Sequence, residues 1–388
     1  MARRRNEDAD SSRSKSQTPE TAPNAIEDKL TLETHQVRNI ALGTILVVTF
    51  YILLQSLNVG PHQLERTTRQ SLQAISHLTP ESLWKSHGSK IVKVTSVFGQ
   101  DNELYEGALR SHKEHNRIHE YDMKVLREKI VSKYWSTPTY LLSLVVEELA
   151  KPKELRSEWL MWSGPDVIIL NPHVPLESFL PPADFSRTHL LGTHDSKGFN
   201  SGVFFLRVHD WSVQMLVEVL YAGNFHPEIE RAEDKTQAAF DEVLRSDRFR
   251  GQVVYQPRTW YNAYQLNATQ FEGHRGDLLV HFHDIGGDKW TAMADTLART
   301  AKAKKKWAVP FEETTYESEI SDYWERIRKA RQLLSVARSR QEDNAVWEAV
   351  RRLSYALTYE VDDKEKMRGG MIAVQNALRL PDSERLVE

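Results

Sequence analysis

Two histidines and two aspartates stand where extended chain would gather them. Leu278-Leu279-Val280-His281-Phe282-His283 reads as a strand, and the two-residue period of a strand puts His281 and His283 on one face. Imidazoles so placed can ligate a metal ion. The turn that follows, Asp284-Ile285-Gly286-Gly287-Asp288-Lys289, offers glycines and a lysine to phosphate oxygens. A second candidate is the strand Trp159-Leu160-Met161-Trp162, which stops at Ser163-Gly164-Pro165 before the extended Asp166-Val167-Ile168-Ile169-Leu170. Carboxylates two residues apart on such a turn point the same way and can grip Mn²⁺ or Mg²⁺, which then clamps a diphosphate. Here only Asp166 is acidic, so an ordinary turn with an exposed aspartate competes with that reading. A third candidate is Gly198-Phe199-Asn200-Ser201-Gly202, where glycines flanking an asparagine let a ligand approach the backbone. A plain loop explains it locally as well. His194 and Asp195, just upstream, are candidate polar contacts.

The rest of the composition narrows the chemistry. The chain has 388 residues, 51 Lys and Arg against 54 Asp and Glu, and a formal net charge of −3. Such a balance gives no reason to expect nucleic acid as a partner. No cysteine is present, which excludes thiol catalysis, Cys-ligated zinc, iron–sulfur clusters and disulfides. No P-loop, nucleophile elbow or dinucleotide fingerprint occurs. Asn267-Ala268-Thr269 is a glycosylation sequon, usable only on a lumenal domain. The basic run Lys302-Ala303-Lys304-Lys305-Lys306 reads as a solvated face.

The elements that must position these residues follow a regular plan. Residues 1–37 are polar and read as a disordered tail. Residues 38–58 contain Ile40 to Leu57, uncharged over 18 residues, or roughly 27 Å of helix, and read as a membrane anchor rather than a buried core helix. Residues 59–88 read as a stem. From Lys90 a β-branched run, Ile91-Val92-Lys93-Val94-Thr95-Ser96-Val97, predicts a buried strand. A polar helical stretch from Leu104 to Ser132 follows, then an apolar helix over Tyr140 to Leu149. Strands at 158–162, 166–170, 190–192, 203–207, 253–255 and 278–283 alternate with helices at 211–221 and 237–244. This alternation means an α/β domain over 89–305 with a mostly parallel sheet. After Pro310, apolar stripes at Ile320, Tyr323, Trp324, Ile327, Leu334 and Ala337, then at Val346, Trp347, Val350, Leu353 and Leu357, predict a helical hairpin within a C-terminal extension, 306–388. Packing on the catalytic domain is the favoured role for that hairpin, with a dimer surface as the alternative.

Taken in order, these pieces resemble the fungal galactosyl/mannosyltransferase family, glycosyltransferase family 34, related to plant xyloglucan xylosyltransferases. The resemblance covers roughly residues 90–300. Val94-Thr95-Ser96-Val97-Phe98-Gly99 is similar to the family's nucleotide-binding strand. Ser111-His112-Lys113-Glu114-His115-Asn116 with Tyr121 is similar to its next helix. Trp159 to Trp162 and Ile169-Leu170-Asn171-Pro172 bracket its acidic motif. Gly198 to Gly202 with Val203-Phe204-Phe205-Leu206-Arg207, then Gln237-Ala238-Ala239, then Val280-His281-Phe282, complete the set.

The resemblance implies a GT-A fold, a single-pass type II Golgi topology with a lumenal catalytic domain, and retaining transfer of a galactosyl or mannosyl residue. The donor would be a nucleotide-diphosphate sugar and the acceptor a glycan. It implies Mn²⁺ (or Mg²⁺) held by Asp166 and His281. Asn200, Gln237 and Asp195 would be catalytic, while Ser96, Gly202 and Lys289 would contact the donor. Hetero- or homo-oligomers with related transferases fit the same picture. The chain departs from the pattern at Gly164, in place of the first acid, at Thr236, in place of the acid before Gln237, and at His283-Asp284, in place of a small-Gly pair. Asp284 or His283 would be replacement ligands. Two further readings follow from the departures: a weakly active or inactive transferase-fold subunit that supports an active relative, and a metal-dependent hydrolase built on His281 and His283.

Overall fold

The computed structural model describes residues 89–98, 103–131, 134–340 and 342–388. Eight strands are labelled here: β1 Ile91–Ser96, β2 Asp122–Leu126, β3 Trp159–Ser163, β4 Val167–Ile169, β5 Leu190–Asp195, β6 Gly198–Arg207, β7 Val253–Tyr255 and β8 Leu279–His281. The longer helices are α1 Glu103–His119, α2 Ser136–Ala150, α3 Asp210–Phe225, α4 Lys235–Arg245, α5 Lys289–Lys302, α6 Tyr316–Ala337, α7 Asn344–Tyr359 and α8 Lys364–Leu378. Among the described residues no helix is long and apolar enough to cross a membrane. The tail, the anchor at 38–58 and the stem lie outside the described residues.

Six strands form one sheet in the order β2-β1-β3-β6-β5-β7. β1 is parallel to β2 and β3, and β5 is parallel to β7. β6 runs against both β3 and β5, so it alone is reversed and the sheet is mostly parallel. β1 and β3 are buried at every position, as expected of strands covered on both faces. The chain leaves β1 for β2 on one side and returns to β3 on the other. In open α/β sheets ligands bind at such a reversal, outside the carboxyl ends of the strands, here those of β1 and β3.

β4 and β8 pair antiparallel in a sheet of their own, with Val167 opposite His281 and Ile169 opposite Leu279. This small ladder joins two segments far apart in the chain. It places Asp166, which immediately precedes β4, beside the last residue of β8.

The structure corrects several expectations. Asp122–Leu126 is an edge strand, not the tail of a long helix: α1 stops at His119 and Glu120 takes a left-handed φ of 57°. Gly198 to Gly202 is not a loop before a strand. It is the first half of β6, paired with β5 in a hairpin, with Thr193 opposite Asn200 and Asp195 opposite Gly198. The C-terminal extension contains a third helix, α8, whose Met371, Val374 and Leu378 pack with Leu333 of α6 and Leu353 of α7. Apolar side chains of α6 and α7, with Val361 and Met367 beyond, also join the main core beside the sheet, so the extension packs on the α/β domain.

Candidate active site

Asp166 is the centre of the site. Its Oδ2 accepts a hydrogen bond from Lys289 Nζ at 2.5 Å, and its Oδ1 lies 3.5 Å from His281 Nε2. Burial alone would raise the pKa of this carboxyl. The neighbouring His281 and Lys289 outweigh that and hold it well below the usual carboxylate range. Burial would likewise depress Lys289, yet the Asp166 carboxylate leaves it raised. The pair is therefore charged at neutral pH.

His281 is turned by its other ring nitrogen. Nδ1 lies 2.7 Å from Asn262 Oδ1. The Asn262 amide orientation is assigned by its two donations, to Asn200 Oδ1 and Thr193 Oγ1, both at 2.8 Å. Nδ1 therefore carries a proton, and Nε2 faces the Asp166 carboxylate. Two such groups meet stably only across a shared cation, either a proton on the ring or a metal ion. A histidine fixed through its far nitrogen is the usual arrangement of a metal ligand. The donor set fits a divalent ion as a pair of ligands. Among the described residues no group of three or more His, Asp or Glu side chains is placed to hold a metal ion.

The network runs on from Asn262. Asn200 donates to Asp195 Oδ2 at 2.8 Å and approaches Gln237 Oε1 at 3.5 Å. Gln237 Oε1 also accepts from the Ser201 backbone at 3.2 Å. Tyr264 donates its hydroxyl to Asp195 Oδ2 at 2.9 Å. Burial, the Asp195 carboxylate and that hydrogen bond push the Tyr264 hydroxyl strongly up, so it stays a donor.

Two glycines make room for this arrangement. A Cβ on Gly202 would meet His281 Cε1 at 2.2 Å, so only glycine lets β6 pass the imidazole. A Cβ on Gly164 would meet Asp166 Oδ1 at 2.6 Å. In this chain the single carboxylate uses the room that a side chain at 164 would need.

Of the residues named from sequence, Asp166, His281, Lys289, Gly202, Asn200, Gln237 and Asp195 come together. Ser96 sits buried at the carboxyl end of β1 and is not among the residues joined in this network. Asp284 is not a replacement ligand: at φ 55° it turns outward and its carboxylate accepts from Lys197 Nζ at 2.8 Å. His283 lies with its ring 5.4 Å from that of His281 and its Nε2 3.9 Å from Asp195, on the far side of the network from Lys289. Thr236 bonds the Tyr134 carbonyl instead of the site. Sequence reasoning missed Asn262 and Tyr264. Their only local signal is a polar residue inside the aromatic run Trp260-Tyr261-Asn262-Ala263-Tyr264.

By class, the molecule is a mostly parallel α/β protein with an Asp–His–Lys cluster formed by Asp166, His281 and Lys289. The particular family follows from comparison. Residues 182–287, from the segment before β5 to the turn after β8, match the model of the galactosyl transferase GMA12/MNN10 family. This is the family that the chain's motifs resemble, and the match covers β5 to β8. No curated protein matches the chain.

Among solved structures, a glycosyltransferase involved in glycosylating the major capsid of PBCV-1 is similar at 16% identity and a TM-score of 0.41, covering 54% of this chain and 98% of that one. The galactosyltransferase LgtC, in complex with donor and acceptor sugar analogs, is similar at 11% identity and a TM-score of 0.35, covering 57% and 98%. The glycosyltransferase GlyE from Streptococcus pneumoniae TIGR4 is similar at 11% identity and a TM-score of 0.32, covering 57% and 65%.

Proposed function

We propose that the protein transfers a hexosyl residue, galactosyl or mannosyl, from a nucleotide-diphosphate sugar to a glycan, with retention and with assistance from a divalent cation. One observation carries this reading: the unbroken chain of contacts from Lys289 through Asp166, His281, Asn262 and Asn200 to Asp195. It sets a cationic end beside a hydrogen-bonding end, as a diphosphate joined to a sugar requires.

In this reading Lys289 meets the diphosphate and offsets the negative charge that grows on it as the glycosidic bond breaks. Asp166 and His281 would hold Mn²⁺ or Mg²⁺, which when bound supplies Lewis-acid charge to the same leaving group. Asn262 keeps Nε2 of His281 facing inward. Asn200, Gln237 and Asp195 accept and donate to sugar hydroxyls, and Tyr264 keeps Asp195 in place. Ser96 and the backbone at Gly202 border the donor crevice. The fold role assigned to 89–305 is that of a GT-A domain. A lumenal Golgi location, with 38–58 as a type II anchor, belongs to the same proposal; the sequon at Asn267 is exposed, as that location requires.

Gly164 favours a second reading, a subunit with little activity of its own that supports an active relative, because one metal-binding carboxylate is missing. A single experiment separates the two. The full-length chain in detergent is titrated calorimetrically with UDP-galactose, UDP-glucose, UDP-xylose and GDP-mannose, with and without Mn²⁺. Metal-dependent binding of one donor, lost in Asp166→Ala and His281→Ala, is the expected result. A folded protein that binds none of them points to the subunit reading.

A further inference from the structure

Asp195 ends the chain of contacts that starts at Lys289, and its carboxylate is held from several sides. Oδ1 accepts from the Lys197 backbone N–H at 2.7 Å. Oδ2 accepts from Asn200 Nδ2 at 2.8 Å and from the Tyr264 hydroxyl at 2.9 Å. Lys197 and Asn200 belong to the β5–β6 hairpin and move with it. Tyr264 comes from a different segment, which pairs along β8 beside His281. Its hydroxyl therefore fixes the Asp195 carboxylate relative to His281, and the place of the Tyr264 ring decides where that carboxylate stands.

One ion pair holds this ring twice. Arg258 opens a single helical turn after β7, Arg258–Tyr261. Its guanidinium carbon lies 4.2 Å from the centre of the Tyr264 ring. The guanidinium plane is locked, because Nε and Nη2 donate as a fork to Glu272, at 3.1 Å and 2.7 Å. Glu272 Oε1 also accepts from the Tyr264 backbone N–H at 2.6 Å. The same pair thus grips the ring by its face and the residue by its main chain. Both side chains are largely withdrawn from water, 26% exposed for Arg258 and 14% for Glu272, and a cation over a ring is stronger there than on an open surface. The C-terminal extension reaches the pair as well: the Asp362 carboxylate, between α7 and α8, accepts from the Arg258 backbone N–H.

We propose that Arg258 is a positioning residue of the glycosyl-transfer site: stacked on Tyr264 and locked by Glu272, it seats the Tyr264 hydroxyl on Asp195. The proposal rests on the glycosyltransferase reading, in which Asp195 meets the sugar, and adds a residue that acts only through Tyr264. A planar guanidinium lies on a ring and fills a carboxylate fork at once; an ammonium does not. Arg258→Lys is therefore the informative change. It keeps a cation opposite Glu272, so that carboxylate is not left unpaired, and it removes the plane that holds the ring.

The test is a double-mutant cycle of Arg258→Lys with Tyr264→Phe in the full-length chain in detergent, read in two ways. The first is nucleotide release from UDP-galactose, UDP-glucose, UDP-xylose and GDP-mannose with Mn²⁺. For the donor that is turned over, each single variant is expected to lose about tenfold in kcat/KM, and the double variant no more than either. An Arg258 that only supports the fold would give losses that multiply to about a hundredfold, and that result overturns the proposal. The second is thermal melting, which needs no donor. Tyr264→Phe should lower the melting temperature of the parent and leave that of Arg258→Lys unchanged, because the hydroxyl has already left Asp195 in that variant. Equal lowering in both backgrounds overturns the proposal whether or not any donor is turned over. If Arg258→Lys does not fold, Glu272→Gln, which loosens the same fork from the other side, takes its place in both cycles. Coupled melting in a chain that turns over no donor would sink the transferase reading and leave Arg258 as the residue that seats Tyr264 on Asp195.

Discussion

At the scale of single residues, the site depends on close approach more than on reactive groups. Gly202 matters because β6 and the His281 ring share space that a methyl group would fill. Gly202→Ala is therefore expected to turn the imidazole away from Asp166 and to lower transfer at least tenfold. Gly251, with nothing near its added Cβ, is the control: Gly251→Ala should leave both transfer and melting temperature unchanged. Equal loss in the two variants, read by donor turnover and by thermal melting, would show that Gly202 has no special role. The Gly164 departure has the same physical origin. It leaves one carboxylate at the turn, and Asp166 occupies the space that a Cβ at 164 would need and pairs with Lys289.

At the scale of elements, α1 and the strands beside it bury bases instead of acids. Lys93, in the middle of β1, is fully buried and its Nζ lies 3.0 Å from His115 Nδ1. Burial holds Lys93, His112 and His115 well below their ordinary values. His194 is pushed down to about 4 and His189 to about 3, burial being the main cause in each. The sign follows from proton uptake. Below about pH 6.5 the unfolded chain protonates these imidazoles while the folded chain resists until far lower pH, so the unfolded state binds more protons and stability falls with pH. Asp166 and Lys289 do not contribute in this window. The first has a lowered value, whose stabilisation is lost only in strong acid. The second has a raised value, whose stabilisation is lost only above its ordinary range. Melting temperature is expected to drop steadily from pH 7 to pH 4.5. His115→Gln should flatten the curve, and a parent curve that is already flat would contradict the account.

At the scale of the whole molecule, the C-terminal helices are part of the folding unit. Ala330, Leu333 and Ala337 of α6 are buried against α7 and α8, and Ala356, Val361 and Met367 close the main core. Ending the chain at Arg340 would uncover both surfaces. The truncated protein is expected to run as aggregate on size exclusion, whereas removing only residues 382–388 should leave a monodisperse peak. A soluble, donor-binding protein from the shorter chain would mean that the helices are an independent appendage.

Much of this was legible in the sequence because local rules govern it. Apolar runs bounded by glycine and proline mark β1, β3, β4 and β7, and the stripes at three- and four-residue spacing mark α6 and α7. Asp166, His281 and Lys289 stand out by residue type and by the turns they occupy. The strand β2 was not legible: Asp122-Met123-Lys124-Val125-Leu126 is half polar, and its extended form comes from pairing with β1. Nor was the extended form of Gly198 to Gly202, whose glycines mimic a loop until β5 pairs with it. Asn262 and Tyr264 belong to the site only because the chain after β7 returns to β8 and bonds along it, with the His281 amide on the Ala263 carbonyl at 2.7 Å. Residue chemistry and periodicity are properties of the chain itself, so the sequence alone determined the class of site and most elements. Which groups meet, and which nitrogen of His281 faces Asp166, depends on pairing between distant segments, and that only the tertiary structure decided.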